Sequence, residues 1–116
     1  MIIFPFGFYI LEGRSPVYVG NDLEAQSIVR TWMEANPEKV CLGLEAIGTI
    51  RVLTQFLGWD QSLRPSSMDL VPWLFETVLE GDPEIDARRL YGDYQAALDG
   101  HAELVGIATR RLRERH

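Results

Sequence analysis

The stretch VCLGLEAIGTIRVLTQFL, residues 40–57, decides the class of fold. Val40, Leu42, Leu44 and Ala46 alternate with Cys41, Gly43 and Glu45. After Ile47-Gly48-Thr49 the alternation resumes as Ile50, Val52, Thr54 and Phe56 against Arg51, Leu53, Gln55 and Leu57. A period of two is the repeat of a strand with one face turned to a core. Two antiparallel strands around a tight turn account for both runs.

Working outward, Val71 to Leu79 alternates in the same way and predicts a further strand. It carries Val71, Trp73, Phe75, Thr77 and Leu79 on one side and Leu74, Glu76 and Val78 on the other. Gly58 to Leu70 between them is rich in Ser, Pro, Asp and Gln, a long loop. Toward the N-terminus, Ile2, Phe4, Phe6, Phe8 and Ile10 share one parity, and Glu12-Gly13-Arg14-Ser15 turns the chain into a strand at Val17-Tyr18-Val19. Pro5 cannot donate to a ladder, so the first strand of this hairpin (1–20) is expected at an edge. Asn21 and Glu24 read as a capping box for a helix over 21–36, with Ala25, Ile28, Val29, Trp32 and Met33 at helical spacing and Pro37 as its stop. Central strands occupy 39–80. Asp93 caps a C-terminal helix over 93–113 whose stripe is Ala97, Leu98, His101, Leu104, Val105, Ala108 and Leu112, interrupted by Gly100 and Gly106. The expected architecture is α+β in one domain, 1–116: a mostly antiparallel sheet of four to five strands with two helices packed on one face.

The chain has 116 residues, 47% of them hydrophobic and 24% charged, far from the composition of a disordered chain. Eleven basic against 17 acidic residues argue against a sequence-independent grip on nucleic acid or anionic lipid. Cys41 stands alone and only His101 and His116 offer imidazole, so neither an intramolecular disulfide nor a zinc site is expected. No apolar run approaches the roughly 20 residues that span a bilayer, and the expected compartment is the cytoplasm. No phosphate-binding glycine loop and no nucleophile motif is present, and no cofactor is expected.

Several stretches resemble a group of small proteins found in phages and prophages. These are IRVLTQFLGWDQS at 50–62, WLFETVLEG at 73–81, RLY at 89–91 and AALDGH at 96–101. The group's recurring pattern is "VSTVFLGLDH", "LFETMVFGG", "RY" and a helix with "EAxxGH"; the likeness covers about Asp22 to Val105. Leu53, Gln55 and Trp59 depart from it, and Gln61 takes the place of a His after Asp60, so an acid–base role for that pair does not carry over. The resemblance implies no particular biochemical activity.

Each candidate site residue has a bland reading beside the functional one. Asp60 is either a ligand-binding carboxylate or a turn former. Glu76, flanked by Leu74 and Val78, needs a partner if buried, and Arg51 on the neighbouring strand is the expected one. His101 is a core histidine or a pH-sensitive group, and it meets Glu76 only if the last helix packs on the Glu76 face. Trp59 and Trp73 bracket the long loop as interface anchors or as packing. Glu80, Asp82, Glu84 and Asp86 read as a solvated acidic turn. The apolar parity of the first strand exceeds what a two-layer domain hides, so Phe6 and Phe8, helped by Trp59, are expected to mediate self-association or partner docking.

Together with the phage-type resemblance, these features lead to the expectation of an accessory binding protein, an inhibitor of a host defence protein that carries a basic surface. The alternatives are a protein that sequesters a nucleotide or metabolite between Arg51, Glu76 and His101, and a small hydrolase using Asp60, Glu76 or His101.

Overall fold

The computed structural model describes residues 3–61 and 72–114. The side chain of Phe6 and most of the Gly58 to Leu70 loop lie outside the described residues. The elements are β1 (Ile3–Glu12), β2 (Ser15–Asp22), α1 (Leu23–Ala35), α2 (Pro37–Val40), β3 (Cys41–Ile47), β4 (Ile50–Phe56), β5 (Phe75–Glu80), β6 (Ala87–Tyr91) and α3 (Tyr94–Glu114). The fold is α+β: an antiparallel sheet in the order β3-β4-β5-β6 and a hairpin β1-β2.

β4 is the spine of the sheet. Ile50, Val52, Thr54 and Phe56 are buried while Arg51, Leu53 and Gln55 are not, the alternation its sequence dictates. Beyond Phe56 the chain stays extended. Leu57 N donates to Leu74 O (2.8 Å) and Gln61 N to Trp73 O (3.0 Å) on the β5 side. On the opposite edge, Tyr9 N donates to Gly58 O (2.8 Å) and Asp60 N to Gly7 O (3.1 Å). β1 therefore continues the edge that β3 leaves, joined by a bridge between Phe8 and Trp59. The expectation of β1 as an edge strand is corrected here, because over residues 7–9 it is bonded to β2 on one side and to this extension on the other.

α3 lies across one face of the four strands, where its buried residues Ala97, Gly100, Leu104 and Ala108 meet the sheet. Two apolar clusters form there: Phe56, Leu74, Phe75, Ala97 and Leu11 at one end, and Ile50, Val52, Leu79, Leu104 and Ala108 at the other. α1 packs on the hairpin through Ala25 and Val29 against Phe8, and its Trp32 reaches the first cluster edge-on to Phe56, ring centres 5.9 Å apart. Phe8 is only 5% exposed, which overturns its expected role as an exposed docking residue. Of that parity, Phe8 and Ile10 pack with Ala25 and Val29 of α1.

Local chemistry explains the remaining boundaries. The N-cap of α1 is Asp22 rather than Asn21, its carboxylate accepting from Ala25 N at 2.9 Å. Asp93 caps α3 as expected, accepting from Ala96 N at 2.7 Å. The single turn α2 has Pro37 in its first turn, where a missing N–H costs nothing. Neither α2 nor β6 is foreseen in the sequence.

Gly100 and Gly106 in α3 have opposite roles. A Cβ on Gly100 would collide with the Tyr91 hydroxyl, whereas one on Gly106 would meet nothing within 4 Å among the described residues. Gly106→Ala should therefore raise stability by up to about 1 kcal/mol through helix propensity alone. Gly100→Ala should lower the Tm, because Tyr91 must leave its place on the helix. Thermal denaturation of the two variants checks both signs.

Candidate functional site

Thr54 and Thr77 are directly opposed on β4 and β5 and fully buried, in the gap between the two apolar clusters. Two hydroxyls there must be satisfied internally. Their oxygens are 2.6 Å apart, and Thr54 Oγ1 lies 2.7 Å from Nδ1 of His101 on α3. The imidazole is 12% exposed and lies over Gly43 of β3, where a Cβ would stand 3.0 Å from the ring. Its Nε2 is buried with no hydrogen-bond partner among the described residues, and Glu45 Oε1 stands 3.5 Å away. His101 is thus a half-satisfied core histidine that ties α3 to the sheet.

Glu76 is on the opposite face. It is 8% exposed, and its partners are Arg88 of β6, which donates through Nε, and Gln55, whose Nε2 donates at 3.3 Å. Arg88 also reaches the Gln61 side chain at 3.4 Å. The expected Arg51–Glu76 pair is not made: the register sets Arg51 opposite Glu80, and those two form the ion pair. Arg51 and Glu76 are separated from His101 by the thickness of the sheet, so the polar pocket postulated for a nucleotide or metabolite does not form. Nor can Glu76 and His101 act together as acid and base.

Asp60 is a staple. Its Oδ1 accepts from Trp73 N at 2.9 Å, closing the excursion between β4 and β5. Trp59 packs with Phe8, Ala25 and Val29, and Trp73 remains 37% exposed. Burial, assisted by the nearby Asp60 carboxylate and then by Tyr18, pushes the Tyr9 phenol above its ordinary value of 10.0. A raised phenol favours the folded state fully below its unfolded pKa, and that contribution is lost as pH climbs from there through the folded value. An alkaline absorbance titration should show a late phenol ionisation that Tyr9→Phe abolishes.

The acidic turn is not simply solvated. The Asp82 side chain is 0% exposed, and its Oδ1 accepts from Glu84 N (2.8 Å) and Ile85 N (3.2 Å). Arg111 of α3 clasps it with Nε to Oδ2 at 2.9 Å and Nη2 to Oδ1 at 3.2 Å, and also reaches Glu84 at 2.8 Å. Its hydrogen bonds to Asp82 and then to Glu84 raise the Arg111 pKa. Asp82→Ala strands both amides and should cost about 2–3 kcal/mol in urea unfolding.

One cavity of about 280 Å³ opens between α1 and residues 57–59. Phe8, Val29, Met33, Leu57 and Trp59 line it, with Gln26, Arg30 and Glu34 contributing polar atoms from α1. Sequence reading missed it because it is bounded by the hairpin, a helix and the continuation of β4. Only the pairing of β1 with Trp59 brings these together. Among the described residues no group of three His, Cys, Asp or Glu is placed to hold a metal ion, and no described helix is long and apolar enough to cross a membrane. No family model matches the chain, and no curated protein or solved structure matches it.

Proposed function

We propose that this chain is a phage- or prophage-type accessory binding protein that inhibits a host defence protein by direct contact, with α1 and its cavity as the contact surface. The observation that carries this reading is the cavity itself: an apolar hollow with polar side chains from one helix, the anatomy of a pocket that receives a partner's anchoring side chain. The same helix exposes Leu23 at 50% and Ile28 at 47%. Exposed Glu24, Glu34 and Glu38 on α1 and α2 outnumber Arg30 and Lys39, and the whole chain carries −6, so a partner with a basic surface fits. The likeness of residues 50–62 and 73–81 to phage proteins supports the setting.

The test is affinity capture from a bacterial host lysate with the tagged full chain. One host protein should be recovered saturably, less of it as salt rises. Gln26→Trp, which fills the cavity mouth, and Glu34→Lys should each weaken recovery about tenfold or more with an unchanged circular dichroism spectrum. Recovery of nothing specific, or equal recovery by both variants, would overturn the proposal. A thermal shift from a nucleotide panel would favour ligand capture instead, since a ligand at a hundredfold its Kd adds about 2.7 kcal/mol.

A further inference from the structure

We infer that the hollow between α1 and residues 57–59 is a binding site for a free aromatic amino acid, with its ring on the apolar floor and its carboxylate and ammonium held by Arg30 and Glu34. The inference rests on the reading of this hollow as a receptor for an anchoring side chain. It adds the charges that such an anchor carries when it is a free molecule.

The floor sets the body of the ligand. Phe8 and Val29 are buried core residues, so this apolar surface is held in place by the packing of α1 on the hairpin. Trp59 and the Met33 thioether form its sides. Two rings and a sulfur favour an aromatic occupant over an aliphatic one, through edge or offset stacking and sulfur–ring contact. The volume of about 280 Å³ lies just under the range of roughly 300–1,000 Å³ for drug-sized ligands. It suits a single aromatic group with a short polar end.

The rim sets the polar end. Gln26, Arg30 and Glu34 follow one another at four-residue steps along the flank of α1 that borders the hollow. Arg51, Arg88, Arg89 and Arg111 each hold a carboxylate of this chain. Arg30 and Glu34 form no ion pair among the described residues, with each other or elsewhere. Their order, cation before acid, is the weaker one for a pair one turn apart on a helix. One guanidinium beside one carboxylate gives a rim of no net charge, which disfavours polyphosphates and fatty acids alike and complements a zwitterion. Four residues advance the helix by about 6 Å, a distance that these two long side chains close over the α-carbon of an amino acid.

An NMR titration of the full chain with L-phenylalanine tests this. The Met33 methyl and the Trp59 indole N–H should shift saturably, while L-alanine, which keeps both charges and lacks the ring, should move neither. Phenethylamine keeps the ring and the ammonium, and phenylpropionate the ring and the carboxylate. Each should bind about fivefold or more weakly than L-phenylalanine, because it loses one ion pair at the rim and leaves its remaining charge beside a like one. Arg30→Gln should weaken L-phenylalanine and phenylpropionate and leave phenethylamine no weaker; Glu34→Gln should weaken L-phenylalanine and phenethylamine and leave phenylpropionate no weaker. Both positions are exposed, so both variants should keep the wild-type spectrum away from the hollow. The inference is overturned if L-phenylalanine gives no saturable shift at Met33 and Trp59, if either single-charge analogue binds as tightly, or if each variant weakens all three ligands equally. The titration uses the chain alone, so these outcomes are separate from recovery of a host protein, on which the reading of α1 as a contact surface stands or falls.

Discussion

The relation between α3 and the sheet depends on one polar contact in an apolar setting, the line from Thr77 through Thr54 to His101. Apolar packing alone would let a helix of small and medium side chains slide along a sheet, because Ala97, Leu104 and Ala108 offer similar surfaces to it. A misplacement by one turn would break the bond between Thr54 and the His101 imidazole and bury that ring without a partner, at a cost of a few kcal/mol. The bond from Thr54 to His101 Nδ1 is made in the observed alignment. Phe56 and Phe75 are then fixed beneath Ala97, and Val52 and Leu79 beneath Leu104 and Ala108. The Asp82–Arg111 clasp secures the same alignment nearer the helix C-terminus.

This arrangement leaves the two faces of the sheet with different chemistry. The α3 face is apolar with one polar layer. The outer face is crossed by the ion pairs Arg51–Glu80 and Glu76–Arg88, with Leu44, Leu53, Val78 and Leu90 between them. Groups that are near neighbours in sequence logic, such as Glu76 and His101, are thereby kept apart. The surface proposed for contact with a host protein lies elsewhere, on α1.

The strength of the alternation determined how much of this was legible. β4 and β5 are central, with one face wholly buried, and their apolar parity is continuous; α3 and its cap at Asp93 follow from equally regular signals. β6 escaped notice because an edge strand needs only one half-buried face, and Arg88 and Arg89 break its apolar pattern. The partner of Arg51 was misassigned because alternation gives the face of a residue but not the register across a long loop. Asp82 looked like one more solvated acid, since its burial is created by Arg111, 29 residues away. Phe8 looked like surplus apolar surface for a related reason: the helix that covers it must first be folded back by the hairpin. Of the candidate site, the residue types were legible and their grouping was not.

The double pairing of the β4 extension bears on how the molecule comes apart. The hairpin and α1 form their own apolar cluster around Phe8, Ala25 and Val29, and are fastened to the four-stranded sheet by the backbone bonds at Gly58 and Asp60 and by the packing of Leu11 and Trp32. The threonine–histidine line and the clasp at Asp82 lie entirely on the other side of that seam. Partial opening will therefore follow the seam, releasing the N-terminal third as a unit while the sheet and α3 hold, and exposing the β4 extension from Gly58 to Asp60 as a strand in want of a partner. What opens there is an edge for an extended peptide, so the joint between hairpin and sheet is also a latent acceptor for a strand from another molecule.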